Sequence, residues 1–210
     1  LALVGWNPGD EREKMSKEEI INSFTLDKVS PKAAVLDERK LEWMNGIYLA
    51  ERPTDSILEE VVTGWRERGV IAPNRPLNDP ELKQIVDLMK GRSKRITDLI
   101  EKNDYFFKDP EEYDPKAAKK HFKGDARRHL EVLIERLQEA ETFDIENLEE
   151  TFRRYAEEFE VSAGKLIHPT RLSVSGVSFG PGLFELLEAL GKDAVLRRMR
   201  NAVLWLEQQQ

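Results

Sequence analysis

Apolar residues return at intervals of three and four almost throughout this chain, and that period leaves little choice of architecture. The stripes run through Ile20, Ile21 and Phe24; Ile57, Leu58, Val61, Val62 and Trp65; Leu82, Ile85, Val86 and Met89; and Leu130, Leu133 and Leu137. They continue through Leu148, Phe152, Tyr155 and Phe159, then Leu183, Leu187 and Leu190, and after Gly191 through Val195, Met199, Ala202 and Leu206. Each stripe predicts a helix with one buried face. Only Arg171-Leu172-Ser173-Val174-Ser175 alternates as a strand does, and one such segment has no partner with which to build a sheet. The expected class is all-α.

Start signals agree with the stripes. Ser16 and Ser56 each precede a glutamate by three residues (Glu19 and Glu59), the spacing of a reciprocal cap. Asp79-Pro80 and Asp114-Pro115 add two more starts, because aspartate accepts from the free amides and proline fits the first turn. Breakers interrupt the pattern at 69–80, where one glycine, two asparagines and three prolines fall together, and again at 109–115. No internal repeat or low-complexity tract is present.

The absence of cysteine removes disulfide frameworks, thiol nucleophiles and zinc–cysteine sites, and is compatible with a reducing cytoplasm. No apolar run approaches the ~20 residues of a membrane span, and the opening Leu1-Ala2-Leu3-Val4-Gly5-Trp6 is too short and uncharged for a signal peptide. A soluble chain with no membrane partner is expected. That opening, with leucine in place of methionine, reads as a piece of a longer protein. The net charge of -7 argues against a polyanion partner, but its distribution matters more. Between 137 and 160 nine acidic residues meet only Arg153 and Arg154, so the remainder is neutral overall, with basic stretches at 90–102 and 116–136. Such runs are ordinarily solvated helix faces.

Three motifs suggest chemistry and fail on context. Lys14-Met15-Ser16-Lys17 spells the nucleotide-handling signature of class I aminoacyl-tRNA synthetases, yet no nucleotide-binding sheet follows and Ser16 is accounted for as a cap. Gly176-Val177-Ser178-Phe179-Gly180 matches the nucleophile elbow of serine hydrolases, which needs a histidine later in the chain; the last is His168. His121, His129 and His168 have no metal-binding spacing, and His121 and His129 are expected at the surface of the basic stretch. No catalytic constellation, metal site or cofactor site remains. Unaided, the residues support a soluble helical domain with local basic patches, and a helical protein-interaction module is one function compatible with it.

Two segments narrow this. Leu1 to Asp10 (L-A-L-V-G-W-N-P-G-D) resembles the segment after the signature loop in bacterial-type glutamyl-tRNA synthetases, and Lys40-Leu41-Glu42-Trp43-Met44-Asn45-Gly46-Ile47-Tyr48 is similar to their K-L-x-W-M-N-G-x-Y motif. Near the end, Pro181-Gly182-Leu183-Phe184-Glu185, then Leu190-Gly191 with Arg197 and Arg198, resembles the family's closing pattern. The resemblance spans the whole chain and is loosest between about Tyr105 and Gln138. In the family the true signature loop precedes L-A-L-x-G-W, so the Lys14 match is a decoy and the catalytic domain is expected to lie before Leu1.

The resemblance implies an all-α cage: residues 1–55 as the end of a domain contacting the inner tRNA stem, then anticodon-binding subdomains at 56–105 and 106–210. The partner implied is tRNA(Glu), and the chain is expected to be monomeric and cytoplasmic. The parent enzyme would use ATP and magnesium to charge that tRNA, with no cofactor in these 210 residues and no aminoacylation by them alone. It further implies Arg92, in Leu88-Met89-Lys90-Gly91-Arg92, as reader of the third anticodon base, with Arg153 and Arg171 as further anticodon contacts. A guanidinium suits this task because it bonds a splayed-out base edge and carries charge toward phosphates together. Where the family can use a side-chain hydroxyl before P-G-L-F, this chain has Gly180, so a contact there must come from backbone. On residues alone, Arg153 could equally pair with Glu149 or Glu157 along its helix.

Overall fold

The Ser16 hydroxyl accepts from the Glu19 amide at 3.1 Å while the Glu19 carboxylate accepts from the Ser16 amide at 2.7 Å. This cap starts α1 (Lys17–Ser23) in the computed structural model, which describes residues 2–10, 12–31 and 35–209; Leu1 of the opening motif lies outside them. The expected aspartate–proline starts hold: Asp79 accepts from the Glu81 amide at 3.0 Å to open α4 (Pro80–Lys90), and Asp114 accepts from the Ala117 amide at 2.6 Å to open α6 (Pro115–His121). Between them stand α2 (Glu38–Glu51), α3 (Asp55–Glu67) and α5 (Ile96–Glu101). The chain continues with α7 (Ala126–Glu139), α8 (Ile145–Glu158), α9 (Gly164–Ser175), α10 (Leu183–Leu190) and α11 (Lys192–Gln208). The described residues hold eleven α-helices and no strand beyond a lone Trp6–Val29 bridge.

The second glutamate-spaced serine behaves differently from expectation. The helix starts two residues earlier, with Thr54 at the N-cap position, and the Ser56 hydroxyl donates to the Pro53 carbonyl at 2.7 Å instead of capping an amide. The strand-like segment is a second departure: residues 171–175 are the last turn of α9. Leu172 and Val174 are buried together with Ser173 and Ser175, whose hydroxyls donate to the helix's own carbonyls of Thr170 (2.7 Å) and Arg171 (2.8 Å). Serines satisfied in this way let a helix bury every face, and alternation then mimics a strand. α9 stops at Gly176, whose φ of 74° is left-handed and where a Cβ would lie 2.8 Å from the Glu112 carbonyl.

One apolar cluster extends from Leu49 to Leu206. The α3 and α4 stripes meet across Trp65 and Leu82, Leu99 of α5 closes that end, and Tyr105 and Phe106 carry the cluster on to α7, α8, α10 and α11. The first fifty residues depart from the one-buried-face expectation: Ile21 is 63% and Phe24 47% exposed, and α2 buries only Leu49. Amphipathy is present there, but few other elements of the chain come near to cover it.

Among the histidines, His129 is buried, contrary to its expected surface position. It shares the face of α7 that carries Leu133, and its Nδ1 lies 2.8 Å from the Tyr155 hydroxyl, which satisfies it inside the core. His121 is half-buried and stacks on His168 with ring centroids 4.5 Å apart.

Candidate nucleic-acid interface

α4 ends in a tight turn because the amide of Arg92 and the hydroxyl of Ser93 both donate to the Met89 carbonyl, at 3.0 and 2.9 Å. This turn directs Arg92 across to the start of α10. Its guanidinium donates through Nη1 to the Leu88 carbonyl at 3.0 Å and through Nη2 to Glu185 at 2.9 Å. Glu185 in turn accepts from the Gly182 amide at 2.8 Å, holding the first turn of its own helix. A half-exposed arginine is thereby fixed by two acceptors, one of them a glutamate ninety-three residues away in sequence.

Arg171 enters the same region from α9. Its Nη2 donates to the Pro181 carbonyl at 2.6 Å, while its Nη1 is buried with no partner among the described atoms. Burial holds the Arg171 pKa below the usual arginine value; Tyr105 opposes that fall and the Arg92 cation adds to it. The group nevertheless stays a cation at any physiological pH. Gly180 sits against this arginine with φ at 137°, and a Cβ there would lie 3.1 Å from the Tyr105 hydroxyl and 3.3 Å from Arg171 Nη1. The departure from the hydroxyl-bearing pattern therefore has a local reason: in this backbone conformation only glycine fits.

Tyr105 is the hub between these groups. Its hydroxyl lies 3.3 Å from Asn103 Oδ1 and 3.8 Å from Met89 Sδ, and burial pushes its pKa upward against the opposing charges of Arg171 and Arg92. It remains a neutral donor between two cations. Arg92, Asn103, Gly180 and the half-exposed Phe179 line a cleft of about 670 Å³, whose rim includes Lys94 and Arg95, paired to Glu42 at 3.3 and 2.5 Å.

The structure thus brings Arg92, Arg171 and Gly180 together around Tyr105. Arg153 stands apart from that cleft, on the exposed face of α8. It pairs with Glu150, which also holds Arg154 at 2.7 Å, instead of with Glu149 or Glu157. It borders a separate apolar groove of about 460 Å³ with Phe152 and Phe184, whose rings meet edge to face at 5.3 Å. Phe184 and Glu185 are neighbours on α10, so the two concavities flank the start of that helix. Sequence reasoning missed Phe179, Tyr105 and Glu185. Phe179 carries a signal in the sequence, an aromatic in a glycine-bounded loop, beside the Ser178 of the hydrolase-like match. Ser178 is exposed and, among the described residues, bonds to no histidine or carboxylate. Lys14 pairs with Glu51 and Ser16 caps α1, so that match also serves local structure. Among the described residues no three histidine, cysteine, aspartate or glutamate side chains form a metal-holding group, and no helix is long and apolar enough to cross a membrane.

A family model described as the anticodon binding domain matches residues 49–203. The chain is 39% identical over 212 residues to a glutamate–tRNA ligase of Desulforudis audaxviator, covering 98% of this chain and 42% of that protein. It is 37% identical over 210 residues to one of Moorella thermoacetica, covering 99% and 43%. The chain thus spans about two-fifths of the length of these curated relatives. Among solved structures, a glutamate tRNA ligase from Elizabethkingia meningosepticum, in complex with its amino acid, superposes with a TM-score of 0.82 at 30% identity, over 97% of this chain and 39% of that one.

Proposed function

The chain belongs to the anticodon binding domain family, and from that premise we propose that it reads the anticodon of tRNA(Glu) as the C-terminal part of a glutamate–tRNA ligase. The observation that carries this reading is that Arg92 and Gly180 line one cleft, with Arg171 Nη1 buried and unpaired directly behind Gly180. A buried donor without an acceptor is costly, and an unstacked base edge supplies the acceptor when RNA binds. Arg92, pinned by Glu185 and Leu88, is preorganised to bond the third anticodon base; Arg171 and the backbone at Gly180 meet a neighbouring base, and Arg153 approaches the strand from the adjoining groove. Phe179 offers a ring on which a base stacks.

Residues 1–55 are then the end of a stem-contacting domain, with anticodon-binding subdomains at 56–105 and 106–210. ATP and magnesium serve the parent enzyme in the part these residues do not span, and the whole protein works as a cytoplasmic monomer. These 210 residues are expected to bind tRNA without charging it.

The test is a titration against tRNA(Glu) and the same tRNA with its third anticodon base changed from C to G. Tighter binding to the unaltered tRNA is expected, and Arg92→Gln should erase about 1–3 kcal/mol of that preference. Equal preference in wild type and variant would remove Arg92 from the reader's role. Phe179→Ala should weaken both tRNAs alike by about 1–3 kcal/mol, the value of one base stacked on an aromatic ring; a loss confined to one tRNA would mean that Phe179 reads the base instead of supporting it.

A further inference from the structure

Most cations among the described residues are tied to carboxylates or carbonyls, but three lysines near the end of α6 and the starts of α7 and α9 are not. Lys120, Lys123 and Lys165 have no hydrogen bond or ion pair among the described residues, although twenty ion pairs occur elsewhere. These three lysines, with His121 and His129, line a second cavity of about 430 Å³, distinct from the Arg92 cleft. Its one carboxylate is Asp125, so the lining is cationic overall. The first residues of two long helices, α7 and α9, also border it. Neither has a side-chain cap: Asp125 and Ala163 stand at the N-cap positions and accept amides only through their backbone carbonyls. Two uncapped helix starts add partial positive charge to that of the lysines. Gly124, at a left-handed φ of 59°, makes the tight link that leads Lys123 into α7. Burial lowers the His121 pKa, and His168, Lys120 and Lys123 lower it further, as expected where positive charges crowd without a counterion.

α9 connects this cavity to the candidate reader. Lys165, His168 and Arg171 follow at intervals of three and so lie toward one side of the helix. From Lys165 to Arg171 the axis advances about 9 Å, the span of roughly three stacked nucleotides at about 3.4 Å each.

We propose that the cavity formed by Lys120, Lys123 and Lys165 at the starts of α7 and α9 is a phosphate-binding subsite, occupied by a backbone phosphodiester of the RNA strand whose base is held at Arg171. This rests on the anticodon-reading function proposed above. The subsite supplies affinity and register and carries no sequence information, since phosphate contacts position a strand while base contacts specify it. His121, which lines the cavity and on which His168 stacks, adds a ring N–H donor to the same oxygens.

The experiment compares wild type with K120Q/K123Q/K165Q. All three lysines are exposed, so the variant folds. Binding of tRNA(Glu), and of the same tRNA with its third anticodon base changed, is measured over a range of salt concentrations. The slope of log K against log salt should fall in magnitude by about 0.7–0.9, the contribution of one neutralised phosphate, while the preference for the unaltered base stays intact. An unchanged slope overturns the proposal, and so does a wild type that binds no tRNA. Loss of slope in a protein without base preference would retain the phosphate subsite and sink the reading of the anticodon, so the two failures are separable. In parallel, inorganic phosphate is titrated while the ring signals of His121 and His168 are followed by NMR. Shifts that the triple variant abolishes, with an unchanged tRNA slope, would assign the cavity to free phosphate and refute its use by RNA.

Discussion

Replacing Arg198 by alanine is expected to destabilise the chain by about 3–5 kcal/mol, from two buried carbonyls left without donors at about 1–3 kcal/mol each and from the cavity left behind. The Arg198 side chain is 2% exposed and joins three elements at once. Its Nε donates to Asp109 at 2.7 Å, and its Nη1 donates to the carbonyls of Tyr105 (2.6 Å) and Val174 (2.8 Å). Alanine leaves those two buried carbonyls without donors and opens a cavity in their place. In a chain of this size a melting point lower by on the order of 10 °C follows. Lysine at 198 should rescue only part of this, because a single ammonium cannot span the three acceptors that the planar fork reaches. An alanine variant within 1 kcal/mol of wild type in urea unfolding would refute this role.

The same cluster sets an acid limit. The Arg197 guanidinium, at 2.7 and 2.8 Å, holds the Asp109 carboxyl down at about 2 against the raising effect of burial, and Arg198 assists. Because the folded-state pKa lies below the ordinary 3.8, this contribution is complete above pH 4 and is lost as pH falls from about 4 toward 2. Asp109 is a third exposed, so solvent screens part of the effect. The consequence reaches the cleft as well. Arg198 grips the backbone of Tyr105, whose hydroxyl lies among Arg92, Arg171 and Gly180, so its loss should blunt base preference without touching RNA.

Helix content was legible in the chain because the apolar period and the Ser16, Asp79 and Asp114 caps are local signals, and the structure bears them out. Two local signals misled. Ser56 has the spacing of a cap, but its hydroxyl found the Pro53 carbonyl first; the alternation at 171–175 came from serines bonded to their own helix. What local pattern could not supply was partnership. Ile21 and Phe24 follow a helical stripe yet stay exposed, since periodicity says which face is apolar and not what meets it. The site was still less legible. Arg92 and Glu185 are ninety-three residues apart, and nothing in either neighbourhood announces the other. Arg92, Arg171 and Gly180 were reached through family resemblance, while Tyr105 looked like any core aromatic. The basic stretch at 116–136 already marked Lys120 and Lys123 in the sequence, but nothing local brought Lys165 to them from the start of α9.

Trp65→Ala is the second large loss, again about 3–5 kcal/mol, and it tests whether the chain has one core or two. Trp65 is fully buried; its Nε1 donates to the Leu99 carbonyl at 3.0 Å and its ring meets Phe107 edge to face at 4.9 Å. It thus fixes α5 and the segment after it to α3, and that segment carries Asn103 to the cleft and Tyr105 to its place behind Gly180. Trp65→Phe should cost less, because the ring volume largely stays and only the bond to the Leu99 carbonyl is lost. The apolar cluster runs unbroken from Leu49 through Tyr105 to Leu206, so damage at Trp65 should be felt by the whole chain. Trp205 reports on the other end, where its ring packs 5.2 Å from Tyr113. Fluorescence of Trp205 and helical circular dichroism should then fall in one shared transition, displaced equally for both probes in Trp65→Ala. If Trp205 kept its wild-type midpoint while part of the helix signal melted early, the 56–105 segment would be an independent folding unit. Arg92 and Arg171 would then be held in register chiefly by the Arg92–Glu185 pair and not by a common core, and base preference should collapse with Glu185→Gln as completely as with Trp65→Ala.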